Sequence, residues 1–272
     1  MRIADEFLQC VVYIYPNEES AREGKKAGGS GFLVHPCWSD SEQWVDNIFI
    51  VTNRHVVEDM SCPVVRVNRR DGNFETIPTN KNRWHDHPDG DDISALPFDA
   101  LSKDHQLLAI NESAFLNQSV IDDYNVGIGD QVVMVGRLVG HDGKLRNSPT
   151  ARFGCISMMP GDTITNRFGF EQESFLVECH SIPGFSGSPV LLVLNSTVRS
   201  VGGLLLTGLG PWLLGIDWMH INNEEPVMTA DGIRSKDGYF VRSNSGIAGV
   251  IPAWKVEELL RMCKKPREGH TQ

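Results

Sequence analysis

A chain of 272 residues with 40% hydrophobic content can bury a sizeable core, as one large domain or as two small ones sharing an interface, and disorder is not expected. Its formal net charge of -10 supplies no basic field of the kind that draws a protein to nucleic acid or anionic lipid, so neither is expected as a partner. No apolar run reaches the roughly 18 residues that a membrane-crossing helix needs.

The amino-terminal stretch MRIADEFLQCVVYIYPNEES reads as a first strand. It carries acidic residues before its apolar run and no small-residue cleavage site, unlike a secretory signal. Six cysteines, at 10, 37, 62, 155, 179 and 263, lack CxxC or metal-ligand spacing and several lie in apolar stretches. Reduced thiols and a cytoplasmic location are therefore expected.

Short β-type runs then recur along the chain: LQCVVYIY, GSGFLVH, NIFIVTN, PVVRVN, QVVMVG, FLVECH, SPVLLVL, WLLGIDW and AGVIP. Turn strings such as RRDGNF, VGIGD, GHDGK and RSKDGY separate many of them. This pattern predicts antiparallel barrels or a sandwich rather than βαβ units. The stretch from Asp99 to Asp123 is more polar and poorer in strands, which sets the crossing between two halves near residue 115, giving units 1–115 and 116–272. A single clear helix is expected at about 252–263, opened by Pro252, with Trp254, Val256, Leu259, Leu260 and Cys263 on one face. The polar tail KKPREGHTQ is expected to fray.

Three segments carry candidate chemistry. GGSGFLV (28–34) and NIFIVTNRHVVED (47–59) present His55 in a polar turn after a strand, although a lone histidine in a β-rich chain is more often structural. PDGDDISALPF (88–98) places Asp92 at the start of an alternating strand, where a buried carboxylate needs a partner such as an imidazole N–H. Asp91 is its rival, and both also fit plain turn acids. HSIPGFSGSPVLLV (180–193) sets Ser186 between residues that suit a tight loop. Such a loop exposes the hydroxyl and aims the N–H groups of Gly184 and Ser186 at an oxyanion.

GSGFLV with TNRHVV, then DDISAL, then PGFSGSPV resemble, in that order, the His, Asp and Ser blocks of trypsin-like serine peptidases. VGIGDQVVMVGRL (126–138) and SNSGIAGVIPAWKVEELL (243–260) are similar to the opening strand and the closing strand and helix of the second barrel in bacterial HtrA-like members. No PDZ-like segment follows. The resemblance implies two Greek-key antiparallel β-barrels with a C-terminal helix, an all-β fold, and a serine endopeptidase acting on protein or peptide. Its triad would be His55, Asp92 and Ser186, its oxyanion hole Gly184 and Ser186, with no metal and no organic cofactor. It further implies that ECHSIPG (178–184) lines one wall of the primary pocket and LLGIDWM (213–219) the opposite strand, which also pairs with substrate backbone. GIDW is similar to the GIHW string of glutamyl endopeptidases, with Asp217 where the histidine stands.

A carboxylate at Asp217, beside Trp218, predicts a preference for Lys or Arg at P1. His180 near the pocket base could instead pair with Asp217 and leave a small or apolar pocket. Phe185 stands where zymogen-activated members have an aspartate, so activity is not expected to need N-terminal processing. Control by loop ordering or a regulatory partner is left open, and the alternative function is a protease-fold binding module without turnover. WHDHPDGDD (84–92) also permits a metal reading through His85, His87 and the aspartates, but its proline and glycine favour a solvated turn. The acidic insertion 221–244 reads as a surface hairpin near the cleft.

Overall fold

The computed structural model describes residues 3–25, 28–37, 47–141, 143, 145–194, 199–201, 204–206, 209–229, 231–232, 234 and 238–264. Part of the GHDGK turn, part of the 221–244 insertion and the tail from residue 265 lie outside the described residues.

A first sheet is built from β1 (Val11–Tyr15), β2 (Gly29–His35), β3 (Phe49–Thr52), β4 (Val64–Asn68), β5 (Phe74–Pro78), β6 (His85–Asp86), β7 (Ser94–Pro97) and β8 (Ile110–Asn111). Its order is β5-β4-β1-β2-β3-β7-β6, with β8 parallel to β2. The second half comprises β9 (Gln131–Gly136), β10 (Thr150–Met158), β11 (Ile164–Thr165), β12 (Glu171–Gln172) and β13 (Phe175–Glu178). It continues with β14 (Pro189–Leu194), β15 (Arg199–Val201), β16 (Leu204–Leu206), β17 (Leu209–Pro226) and β18 (Phe240–Pro252). Six of these close into a barrel in the order β10-β13-β18-β17-β14-β9. Between β8 and β9, Phe115 bridges to Leu213, and the Leu116 N–H bonds the Leu213 carbonyl.

The continuous apolar strands are explained by the alternation of side chains across a sheet. In β1, Val12 and Ile14 enter the core of the first sheet while Val11, Tyr13 and Tyr15 enter the core between the halves. In β14, Val190, Leu192 and Leu194 fill the second barrel while Leu191 and Val193 face that shared core. Burial on both faces removes the polar half of the usual alternation, and each such side chain contributes on the order of 1.5–3 kcal/mol.

The amino terminus departs from the sequence reading. Residues Asp5–Cys10 form a 3-10 helix, and the strand begins only at Val11. The α-helices among the described residues are α1 (Glu18–Glu23), α2 (Arg54–Val57), α3 (Gln118–Tyr124) and α4 (Ala253–Cys263). Asn17 caps α1 by accepting from the Ser20 N–H at 2.9 Å, and Gly24 ends it in the left-handed conformation at φ 66°. Pro252 is the extended residue before α4 rather than its first turn, and Val256, Leu259 and Leu260 are buried beneath the helix. The insertion 221–244 extends the β17–β18 hairpin, paired out to Pro226 and Phe240.

Candidate active site

His55 sits in α2, immediately after β3. Its backbone N–H donates to Asp92 Oδ1 at 2.9 Å, and its ring Nδ1 lies 2.5 Å from Asp92 Oδ2. Asp92 is 1% exposed, so both carboxylate oxygens are satisfied from the same residue and the imidazole is fixed in position and tautomer. Asp91 takes another role, pairing with His87 at 3.1 Å and with Lys255 at 3.7 Å.

Asp92 is held from both halves of the molecule. Asn53 Nδ2 donates to the Asp92 carbonyl at 2.9 Å, and the Asp92 N–H donates to Gln172 Oε1 at 2.7 Å. Gln172 is fully buried on β12, and Asn166 next to the same hairpin donates to the Gly90 carbonyl at 2.9 Å. Neither Gln172 nor Asn166 stood out in the sequence, because their partners lie some 75–80 positions away.

Ser186 occupies the loop between β13 and β14, with a side chain that remains partly accessible. It shares a cleft of about 400 Å³ with His55, Gly184, Pro183, Met60 and Asp59. Gly184 has φ 100°, and a Cβ there would meet Val139 Cγ2 at 2.6 Å and the Arg137 carbonyl at 2.9 Å. Gly187, at φ 86°, lies against the Ser30 carbonyl, 2.0 Å from where a Cβ would be. Both positions therefore demand glycine on conformation and on space. The Phe185 N–H bonds the Ile182 carbonyl and the Gly187 N–H bonds the Asp217 carbonyl. The N–H groups of Gly184 and Ser186 have no such internal acceptor among the described residues, the condition required of oxyanion donors.

Ser30 links the two halves at this loop. Its N–H donates to the Ser186 carbonyl at 2.8 Å, its Oγ donates to the Gly184 carbonyl at 2.8 Å, and the same Oγ accepts from the Arg137 N–H at 3.0 Å. Thr52 Oγ1 donates to the Ser30 carbonyl at 2.7 Å. The GGSG string thus serves as the seat of the loop that carries Ser186. Phe185 is fully buried in the second barrel.

The pocket residues are arranged differently from the sequence expectation. Asp217 is buried, but its partner is Ser181, whose hydroxyl donates to Oδ2 at 2.7 Å, and Oδ1 has no hydrogen bond. His180 is exposed and supplies no bond to Asp217. The chain leaves β13 through tight turns here, with the Cys179 N–H bonded to the Val177 carbonyl and the Ser181 N–H to the Cys179 carbonyl, and Cys179 and Ser181 are buried while His180 is exposed. Burial pushes the Asp217 carboxyl up to about 7, against the lowering by the Ser181 hydroxyl. The Trp218 indole is a packing residue rather than a pocket surface: it is buried in the shared core and donates to Ser174 Oγ at 3.1 Å. The backbone of Asp217 is engaged with Gly187 and Ser188. Among the described residues, β17 from Trp218 onward extends past β14 and pairs only with β18, so its other edge carries no strand there.

The segment 84–92 is also not the solvated turn expected. His85 and Asp86 form β6, His87 is buried, and the turn proper is confined to Pro88–Gly90. All six cysteines are free thiols, with Cys10 and Cys179 each pushed up to about 12 by burial.

No protein-family model and no curated protein sequence matches the chain. Among solved structures, the MamO protease domain from Magnetospirillum magneticum (apo form) is similar over 93% of this chain and 96% of that one, at 14% identity and a TM-score of 0.55. The fold is that of trypsin-like peptidases. Within that fold His55 contacts Asp92, and His55 and Ser186 line one cleft. The HtrA-type protease AlgW, in a serine-to-alanine form with a tripeptide, matches 93% of this chain at 17% identity and a TM-score of 0.49, with 60% of its own chain covered. Among the described residues no helix is long and apolar enough to cross a membrane.

Proposed function

We propose that this chain is a serine endopeptidase that hydrolyses peptide bonds through an acyl-enzyme on Ser186. The observation that carries the reading is the His55 to Asp92 contact of 2.5 Å at the edge of a cleft that also contains Ser186. His55 takes the proton from Ser186 Oγ as that oxygen attacks the scissile carbonyl, forming a tetrahedral oxyanion. The imidazolium then gives the proton to the leaving amine, and a water repeats both steps to release the acid. Asp92 stabilises the imidazolium. The Gly184 and Ser186 N–H groups receive the oxyanion, an interaction worth about 3–4 kcal/mol per donor.

Substrate backbone adds as a strand along the open edge of β17 beyond Asp217. The P1 side chain is directed at the Oδ1 side of Asp217, away from the oxygen that Ser181 holds, and this unpaired Oδ1 favours a Lys or Arg donor over an acidic group. The substrate is a protein or peptide, and no part of the triad chemistry calls for a metal.

Digestion of a diverse peptide library, with cleavage sites mapped by mass spectrometry, tests the reading. Cuts after Arg and Lys that vanish in Ser186→Ala are expected. Cuts after Glu or Leu with none after Arg would remove the basic preference, and no Ser186-dependent cleavage at all would count against peptidase function.

A further inference from the structure

Five charged side chains converge where α4 lies against the loop that leads into Asp92. His87, Asp89 and Asp91 come from the loop, Lys255 and Glu258 from the helix. His87 is the informative member: its side chain is 0% exposed, and neither ring nitrogen has a hydrogen bond. Nδ1 lies 3.1 Å from Asp91 Oδ2, and Nε2 points toward Glu258 at 3.5 Å. One ligand atom each from His87, Asp89 and Glu258 lie within 4.8 Å of one another.

We infer that His87 Nε2, Asp89 and Glu258 form a zinc-binding site that clips the C-terminal helix to the loop carrying the triad acid. Three features favour a cation there. A buried imidazole nitrogen without a partner is costly, and a metal ion is a partner that accepts its lone pair. The carboxylate of Asp91 stands behind Nδ1 where it can accept a hydrogen bond from Nδ1–H and so present Nε2 to a metal, the outer-shell arrangement that ligating histidines commonly show. The cluster also has three carboxylates against one ammonium, so a divalent ion balances its charge.

One imidazole and two carboxylates are a donor set for zinc with a fourth position left for water, whereas calcium and magnesium favour all-oxygen sites. Lys255 is the built-in competitor. Its ammonium lies 3.1 Å from Glu258 and 3.7 Å from Asp91, and its flexible stem allows it to withdraw when the ion enters. None of the five side chains lines the cleft, so the site is a structural clip separate from the peptide-bond chemistry.

The test is a titration of chelator-treated full-length protein with Zn²⁺ by calorimetry, together with the visible spectrum of the Co²⁺ form. One equivalent should bind and raise the unfolding temperature. Asp89→Asn and Glu258→Gln change exposed side chains and should fold normally, and each should weaken binding by roughly tenfold or more. Lys255→Met should tighten it. Absence of saturable Zn²⁺ binding, or binding that neither D89N nor E258Q weakens, would overturn the site. A Co²⁺ spectrum dominated by thiolate charge transfer would also overturn it, since that places the ion on cysteines.

Discussion

The proposed role of Asp217 in P1 recognition predicts a specificity that depends on pH in a way separable from steps common to all substrates. Its carboxyl titrates at about 7 because burial opposes ionisation, with only the Ser181 hydroxyl favouring the anion. An Arg or Lys P1 side chain gains from the ionised form alone, whereas a Leu side chain does not. For a group titrating at about 7, the ionised fraction rises from roughly 10% at pH 6 to roughly 90% at pH 8, so the ratio of kcat/KM for Arg over Leu substrates should rise roughly ninefold. Dividing one substrate by the other cancels the His55 contribution common to both. The assay is a pair of peptides differing only at P1, measured from pH 5.5 to 9 with wild type and Asp217→Asn. The variant should retain the Ser181 hydrogen bond and give a low, flat ratio.

Stability provides an independent reading of the same group. The folded value of about 7 lies above the ordinary 3.8, so the folded state holds its proton more tightly and loses stability as pH rises through that window. D217N never ionises, and its unfolding temperature relative to wild type should therefore be higher at pH 8 than at pH 4. A ratio that is flat in wild type, or equally pH-dependent in D217N, would refute the assignment of Asp217 to the P1 pocket.

Two further substitutions test the rest of the site. Asp92→Asn should leave the fold intact and lower kcat by about 10⁴, because the imidazole then adopts the wrong tautomer; a loss below tenfold in steady-state hydrolysis would remove Asp92 from the triad. Ser30→Ala deprives the Gly184 carbonyl and the Arg137 N–H of their partner, which should cost about 1–3 kcal/mol of stability and lower kcat more than it raises KM. Denaturant unfolding within error of wild type, with unchanged kcat, would show that Ser30 does not seat the nucleophile loop.

The parts of this molecule legible in its sequence are those with local causes. Turn strings and β-type runs marked most strands, and the apolar spacing after Pro252 marked α4. The glycines around Ser186 marked its loop because their dihedrals and clearances admit little else. Asp92 and Asp91 were not separable by sequence, since the choice depends on which carboxylate meets α2 and which meets α4. Ser30, Gln172 and Ser181 were missed for the same reason: polar residues in plain surroundings whose partners come from the other half or from another strand. His87 was misread because its burial is produced by a helix more than 160 positions away, which no local pattern in WHDHPDGDD encodes.

The most direct measurement is fluorophosphonate labelling of purified wild type beside Ser186→Ala and His55→Ala, with the modified residue located by mass spectrometry. A stoichiometric adduct on Ser186 in wild type, absent in both variants, is the predicted result. A folded wild-type protein that takes no label, or takes it equally in Ser186→Ala, would contradict the account and leave the double barrel as a binding module.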